Sequence, residues 1–320
     1  NNPVERTKNQ IDLTEAKTLA HLLKYDTAYG RYESPVESDE KNLIVKGKKI
    51  PVFAENDPTL LPWGKLKVDV VLECTGRFTD KAGASLHLKA GAKKVVISAP
   101  AKGGDVPTYV RAVNCSKCNK ETSLVINNAS CTTNNIGPVM AVLSEKFGIE
   151  KAIMTTVHAY TAEQNIHDAP PPGLKSGDLR RARAAAANIV PTTTGAAIAV
   201  TEVMPGLAGC FDGLALRIPV ITVSLSDMTV LLKKNVTKEE INQAMVDASK
   251  TERFAGVLDT TSEQLVSSDF IGNTHSAIVD LSLTNVVGGN LVKVMAWYDN
   301  EMGYTYTLVD HVIKTGNTIL

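Results

Sequence analysis

Two short apolar runs, VDVVLECTG at 68–76 and KKVVISAP at 93–100, constrain this chain more than any other feature. Both are rich in valine and both stop at turn-forming residues, as strands buried in a parallel sheet do. Between them, DKAGASLHLKAGA has the composition of a helix. Strand, helix, strand with a turn at each strand's end is the pattern of an open α/β sheet. Ligands of such sheets sit at the carboxyl ends of the strands. Thr75, Gly76 and Arg77 after the first strand, and Ser98 after the second, are therefore candidates to face one.

The second half of the chain reads differently. KAIMTTVHAYT, DGLALRIPVITVSLSDMTVLLKK and SAIVDLSLTNVVGGNLVKVMAWYD are longer strand-forming stretches, several with period-two alternation, and VVGGN is a good hairpin turn. Thr237 and Glu240 have the spacing of a capping box ahead of a helix, as do Asp12 and Glu15 ahead of DLTEAKTLAHLLK. The closing stretch NEMGYTYTLVDHVIKT is amphipathic and helical. At 320 residues, two domains are expected: α/β first, then α+β with a mostly antiparallel sheet.

Lys plus Arg equals Asp plus Glu at 34 each, which gives no reason to expect a nucleic-acid or anionic-membrane partner. No apolar run reaches the ~18 residues of a membrane span, and the polar opening NNPVERTKNQ does not read as a signal peptide. Five cysteines, at 74, 115, 118, 131 and 210, are an odd and sparse set that suits reduced thiols in a cytosol. Cys115 and Cys118 form a single CxxC, which without a second ligand pair points to no metal.

One cysteine stands apart. Cys131 lies in NNASCTTNN, a polar run before an apolar stretch of helical period over 132–147. At a helix's first turn the unpaired N–H groups and the dipole favour a thiolate and offer an anion site. A polar N-cap holding an unreactive cysteine fits the same local sequence. A thiolate needs a proton-accepting partner, and of the six histidines His158, at a strand end among hydroxyl residues, is the best placed. His21 and His87 read as solvated or surface-packed helix positions, and His167, His275 and His311 lack a comparable polar setting.

ASCTTN at 129–134, TTVHAYT at 155–161, DLRRARAAAANIVPTTTGAA at 178–197 and WYDNEMGY at 297–304, in this order, resemble phosphorylating glyceraldehyde-3-phosphate dehydrogenase from about residue 12 onward. The resemblance implies a Rossmann-type dinucleotide-binding domain over 1–130, with 301–320 packing back on it, and a catalytic domain over 131–300. It implies Cys131 as nucleophile and His158 as base in an oxidation that uses NAD and passes through a thiohemiacetal and a thioester. Ser130, Thr132, Thr194 and Gly195 match the family's inorganic-phosphate site, and Thr161, Arg181 and Arg217 the site for the substrate's own phosphate. Asn300 and Tyr304 match the nicotinamide contacts, Thr75, Gly76 and Ser98 the strand ends at the dinucleotide, and Asp12 the reader of the adenosine ribose. A cytoplasmic homotetramer is implied as well.

The chain departs from that family at its front, where a strand and a G-x-G-x-x-G turn are expected ahead of Asp12. Before residue 64 the only glycines are Gly30 and Gly47. Either the sequence begins inside the fold, which is the expectation, or this is a variant with an incomplete dinucleotide fold. Glu163 stands where the family usually has aspartate, Asn135 where it often has a second cysteine, and Met302 where tryptophan is usual. HDAPPPGLKSGDLRR is longer and richer in proline than usual. Two other readings stay open: an erythrose-4-phosphate dehydrogenase, favoured by HSAIVD, and a non-catalytic relative that has lost NAD.

Overall fold

In a computed structural model, residues 14–115, 123–170 and 178–319 are described, together with the backbone of Gln10 and Ile11. Asp12, Cys118 and residues 171–177 of the proline-rich loop lie outside them, so the expectations for those positions have no structural counterpart.

The two valine-rich runs form the strands Val70–Glu73 and Lys94–Ile97, which pair in parallel, and Val125–Asn127 adds a third parallel strand beyond them. The helix Lys81–Lys89 crosses between the first two, capped by the Asp80 side chain, which accepts from the Gly83 N–H. Leu61, Trp63, Val71, Ala84, Val95 and Ile97 close one apolar cluster over this sheet. The C-terminal helix Met302–Asn317 closes the other face, where its Leu308 packs on Val96, Tyr109 and Ile126.

Ahead of this sheet, Gln10–Ile11 pairs in parallel with Val52 and Phe53, so a strand precedes Asp12 despite the polar sequence there. The first helix is shorter than its capping-box spacing suggests. It runs Ala16–Lys24 from Glu15 as N-cap, with no side-chain cap. Its Ala20 and Leu23 pack on Val36, Leu43, Val45 and Ile50 of the neighbouring hairpin strands.

The second half is a single eight-stranded sheet. Its order is Val190–Thr193, Phe211–Ile218, Ile149–Ala159, Ser224–Leu232, Leu291–Tyr298, Ala277–Asp280 and Leu258–Thr261, with Asn285–Val287 pairing on Leu291–Tyr298 across the VVGGN turn. Most neighbours are antiparallel, but Ile149–Ala159 with Phe211–Ile218 and Leu258–Thr261 with Ala277–Asp280 are parallel. Ser224–Leu232 alternates strictly between buried and half-buried residues. Its buried side meets the helices Cys131–Phe147, Ala196–Val203 and Lys238–Ser249 in one apolar core. Its other side carries Ile153, Leu214, Leu231 and Leu291 and is covered by no element among the described residues.

RRARAAAANIV, which admits a helix on local pattern, is instead two short 3-10 turns, Leu179–Ala182 and Ala185–Ala187. The Thr237–Glu240 capping box is complete: the Thr237 hydroxyl accepts from the Glu240 N–H, and the Glu240 carboxylate accepts from the Thr237 N–H. Thr237→Ala should therefore lower stability by about 1 kcal/mol in chemical denaturation. Unchanged turnover in the same variant would place the loss in the helix alone.

Candidate active site

Cys131 is the first residue of the helix Cys131–Phe147, one position earlier than its apolar period suggests. Ser130 is the N-cap, its hydroxyl accepting from the Thr133 N–H at 3.1 Å. The turn into the helix is tight: Ala129 is fully buried at φ 55°, a left-handed conformation that costs a non-glycine residue of order 1–3 kcal/mol. Two bonds hold it there, from the Ala129 N–H to Asn127 Oδ1 at 2.9 Å and from the Tyr304 hydroxyl to the Ala129 carbonyl at 3.0 Å. The thiol is thereby presented at the mouth of the helix, beside its unpaired N–H groups.

His158 stands at the end of the strand Ile149–Ala159, buried, with Nε2 3.5 Å from Cys131 Sγ. Its tautomer follows from its other contact. Nδ1 lies 2.7 Å from the Ala159 carbonyl, which can only accept, so Nδ1 carries the proton and Nε2 presents its lone pair to the thiol. Arg217, directly opposite His158 in the parallel pairing, donates from Nη1 to the same carbonyl at 3.1 Å and comes within 3.1 Å of Nδ1. Burial, and then the Arg217 charge, push the imidazole down from 6.5 to about 3, so it rests neutral and ready to accept a proton.

The thiol rests protonated. Burial raises its pKa, against the lowering effects of the Arg217 charge, the Thr132 hydroxyl and the Thr132 and Cys131 N–H groups. Those same groups stabilise negative charge once a proton has moved to His158. Tyr298 backs the pair, fully buried, its ring edge-on to the imidazole at 6.0 Å between centroids. Its hydroxyl bonds Thr156 at 2.8 Å and Thr132 at 3.0 Å. The Thr132 hydroxyl therefore faces the core and the thiol rather than an open anion seat.

Beside this pair two arginines meet the carboxylates of Glu163 and Asp178. Arg217 donates to Thr161 Oγ1 at 3.2 Å and to Glu163 Oε1 at 3.0 Å, and Arg181 Nη1 reaches the same oxygen at 3.0 Å. Arg181 is held from behind, its Nε donating to Thr192 Oγ1 at 2.9 Å, while Thr192 donates to Asp178 at 2.5 Å. Thr161, Arg181 and Arg217 are thus brought together around one carboxylate. Thr194 and Gly195 open the helix Ala196–Val203, where the Thr194 hydroxyl accepts from the Ala196 N–H at 3.2 Å and keeps its own proton to donate.

Asn300 is fixed by a fourth region. The Ser224 hydroxyl donates to its Oδ1 at 2.9 Å, which settles the amide's orientation and leaves Nδ2 as the end that can donate to a ligand. Asp299 beside it accepts from Tyr29, Thr222, Gly272, Glu301 and Met302, and so locks the turn. Val223, between Thr222 and Ser224, is buried at φ 73°, a true outlier for a β-branched residue. Thr75 and Gly76 are exposed and Ser98 half-buried at the carboxyl ends of their parallel strands, the end at which open α/β sheets bind ligands.

Residues 130–300 match the C-terminal domain of glyceraldehyde 3-phosphate dehydrogenase, and residues 8–81 match its NAD-binding domain. The chain belongs to the glyceraldehyde-3-phosphate dehydrogenase family. The family's enzyme from Clostridium pasteurianum is 52% identical over 301 residues, covering 93% of this chain and 87% of the relative. That of Geobacillus stearothermophilus is 51% identical over 299 residues, with the same coverage. Glyceraldehyde-3-phosphate dehydrogenase 1 of Bacillus subtilis is 49% identical over 319 residues, 99% of this chain and 93% of the relative. The protein is accordingly an NAD-dependent enzyme of glycolysis that oxidises glyceraldehyde 3-phosphate. No helix among the described residues is long and apolar enough to cross a membrane.

Tyr298, Thr192, Asp178 and Asp299 support the site without having been singled out from the sequence. Only their neighbours in the motifs could have flagged them, because each acts through a contact made across the fold. His87 corrects a sequence expectation: it is buried at 3% exposure, not on a surface, and so is His311, which bonds Asn128 at 2.9 Å.

The low His158 pKa has a consequence for stability. Above 6.5 neither folded nor unfolded chain protonates this ring, so its contribution is fully present. As pH falls below that, the unfolded chain takes up the proton first, costing about 1.4 kcal/mol per pH unit until the folded value is approached. The melting temperature of the wild type should therefore fall more steeply than that of His158→Asn on acidification below about pH 6.5. Parallel curves would show that His158 titrates alike in both states.

Proposed function

We propose that Cys131 attacks the aldehyde carbon of glyceraldehyde 3-phosphate and that His158 is its base. The observation carrying this is the 3.5 Å approach of Sγ to an Nε2 whose lone pair is left free by the Nδ1 bond to Ala159. The thiol proton passes to Nε2 as the C–S bond forms, and the Cys131 N–H at the helix start helps hold the developing oxyanion. The oxyanion takes that proton back from His158 to give the thiohemiacetal. His158 then accepts the hydroxyl proton as a hydride leaves the same carbon, and Cys131 is left acylated as a thioester. NAD, when bound, accepts that hydride. Inorganic phosphate attacks the thioester carbonyl, expels the Cys131 thiolate and departs as the acyl phosphate, 1,3-bisphosphoglycerate. Uptake of the His158 proton returns the thiolate to the resting thiol.

Arg217, Arg181 and Thr161 are assigned to the phosphate the substrate carries, since two guanidinium groups and a hydroxyl converge there. Ser130, Thr194 and Gly195 are assigned to the attacking phosphate, and Thr132 only through its backbone N–H, since its hydroxyl is bonded to Tyr298. Ser130 and Thr194 contribute hydroxyls that accept from the backbone and still have a proton to donate. Asn300 Nδ2 would hold the nicotinamide carboxamide beside the Tyr304 ring, with Thr75, Gly76 and Ser98 along the dinucleotide. Asp12 is assigned to the adenosine ribose on the family resemblance.

Division into a cofactor domain over 1–130 with 301–320, and a catalytic domain over 131–300, is favoured by the packing of Leu308 on the parallel sheet. A cytoplasmic homotetramer is favoured by free thiols and by the uncovered sheet face bearing Ile153, Leu214 and Leu291. An uncovered sheet face of that kind, with exposed hydrophobics among the charges of Asp227 and Lys293, suits burial against a second copy.

An assay with glyceraldehyde 3-phosphate, NAD and phosphate tests the chemistry. Cys131→Ser should abolish turnover, and His158→Asn should lower kcat/KM by roughly 10²–10⁴ without altering NAD affinity. Undiminished activity in Cys131→Ser would overturn the mechanism. Equal oxidation of erythrose 4-phosphate without phosphate would instead favour the erythrose-4-phosphate reading. Arg217→Lys should raise KM for the aldehyde by about tenfold, because an ammonium cannot reproduce the forked contacts.

A further inference from the structure

Away from the thiol, three polar side chains are buried together in the cofactor half of the chain. Trp63, His87 and Glu73 are each 3% exposed, although they lie on three different elements. Trp63 Nε1 donates to His87 Nδ1 at 3.1 Å, and His87 Nε2 meets Glu73 Oε2 at 2.9 Å. The other carboxylate oxygen, Oε1, accepts from the Thr75 N–H at 2.7 Å and also from the Thr75 hydroxyl. Thr75 Oγ1 in turn accepts from the Arg77 N–H at 3.1 Å, around Gly76 at φ 71°.

Each donor and acceptor in this chain has only one possible assignment. An indole N–H can only donate, so His87 Nδ1 is bare and the ring's proton sits on Nε2, pointing at Glu73. Glu73 is ionised: burial opposes its charge, but the His87 and Thr75 hydrogen bonds outweigh it and hold its pKa below the usual carboxylate value. An isolated carboxylate among Leu61, Val71, Ala84 and Ile97 would be costly, whereas this one has both oxygens used. An apolar residue at the end of the strand would avoid that cost but would leave the Thr75–Arg77 turn with nothing to close on.

We propose that Trp63, His87 and Glu73 form a buried relay that sets the conformation of the cofactor-facing turn Thr75–Gly76–Arg77, with His87 as a positioning residue. The relay acts on NAD affinity and not on the thiol chemistry, and it rests on the reading that this turn contacts NAD. Its polarity is what matters. A glutamine at 87 can accept from Trp63 and donate to Glu73, whereas a methionine of similar bulk accepts only weakly and has nothing to donate to Glu73.

The test is NAD binding by calorimetry on His87→Gln, His87→Met and Thr75→Val, with amide hydrogen exchange over 73–78 and the aldehyde KM measured alongside. His87→Met should weaken NAD by about tenfold or more and speed exchange in the turn. Its aldehyde KM at saturating NAD should stay within about twofold. His87→Gln should stay within about threefold of the wild type. If His87→Met does not fold, Trp63→Phe supplies the same break at the far end, with the same direction of change expected in exchange and affinity. Equal losses in the Gln and Met variants would reduce the cluster to packing and overturn the proposal, as would unchanged affinity and exchange in His87→Met. Thr75→Val separates the two readings. Weaker NAD there with a silent His87→Met sinks the relay alone. Unchanged NAD there, with faster exchange in His87→Met, sinks the assignment of the turn to the cofactor, and the relay's effect on NAD with it.

Discussion

One carbonyl oxygen organises the chemistry of this molecule. The Ala159 C=O accepts from His158 Nδ1 and from Arg217 Nη1 at once, because the strands bearing them run in parallel with His158 directly opposite Arg217. That single acceptor fixes the imidazole tautomer, keeps Nε2 bare towards Cys131, and ties the arginine to the base. A slip of one residue in this pairing would turn Arg217 to the other face of the sheet and remove it from the base. The eight-stranded sheet and the core beneath it hold that register.

The electrostatics follow from the same arrangement. Burial pushes the thiol up and the imidazole down, so the resting pair is uncharged. Arg217 works in both directions. It opposes a charge on His158 while favouring one on Cys131, and its guanidinium shares Glu163 with Arg181. One cation therefore connects His158, Cys131 and the Glu163 carboxylate.

The strained positions lie where the site is held in place. Ala129 and Val223 both have positive φ and are buried, the first two residues ahead of Cys131 and the second beside the residue that orients Asn300. Neither is glycine, so the conformation is imposed by its surroundings: Asn127 and Tyr304 hold the first, while the hydroxyls of Thr222 and Ser224, bonded to Asp299 and Asn300, flank the second. Such strain persists only where neighbouring bonds over-determine the backbone.

Much of this was legible in the residues themselves. The parallel strands, the antiparallel second half and the Thr237 cap follow from local pattern, because side-chain period and cap chemistry are short-range properties. The polar setting of Cys131 at a helix start suited a nucleophile and an unreactive cap residue alike, and the four motifs carried the family. The capping spacing ahead of the first helix misled, since that helix begins only at Ala16, with Glu15 as an N-cap whose side chain caps nothing. His87 misled for a related reason. Its helix position looked like a surface, and only the fold brings Trp63 and Glu73 to its two nitrogens. By itself, then, the sequence determined most of the elements and the family, and it supplied Cys131 as the proposed nucleophile. Tertiary structure alone decided the tautomer of His158, the pairing of Arg217 with it and the inward turn of the Thr132 hydroxyl. Those depend on strand register and on partners far apart in the chain, which no local pattern encodes.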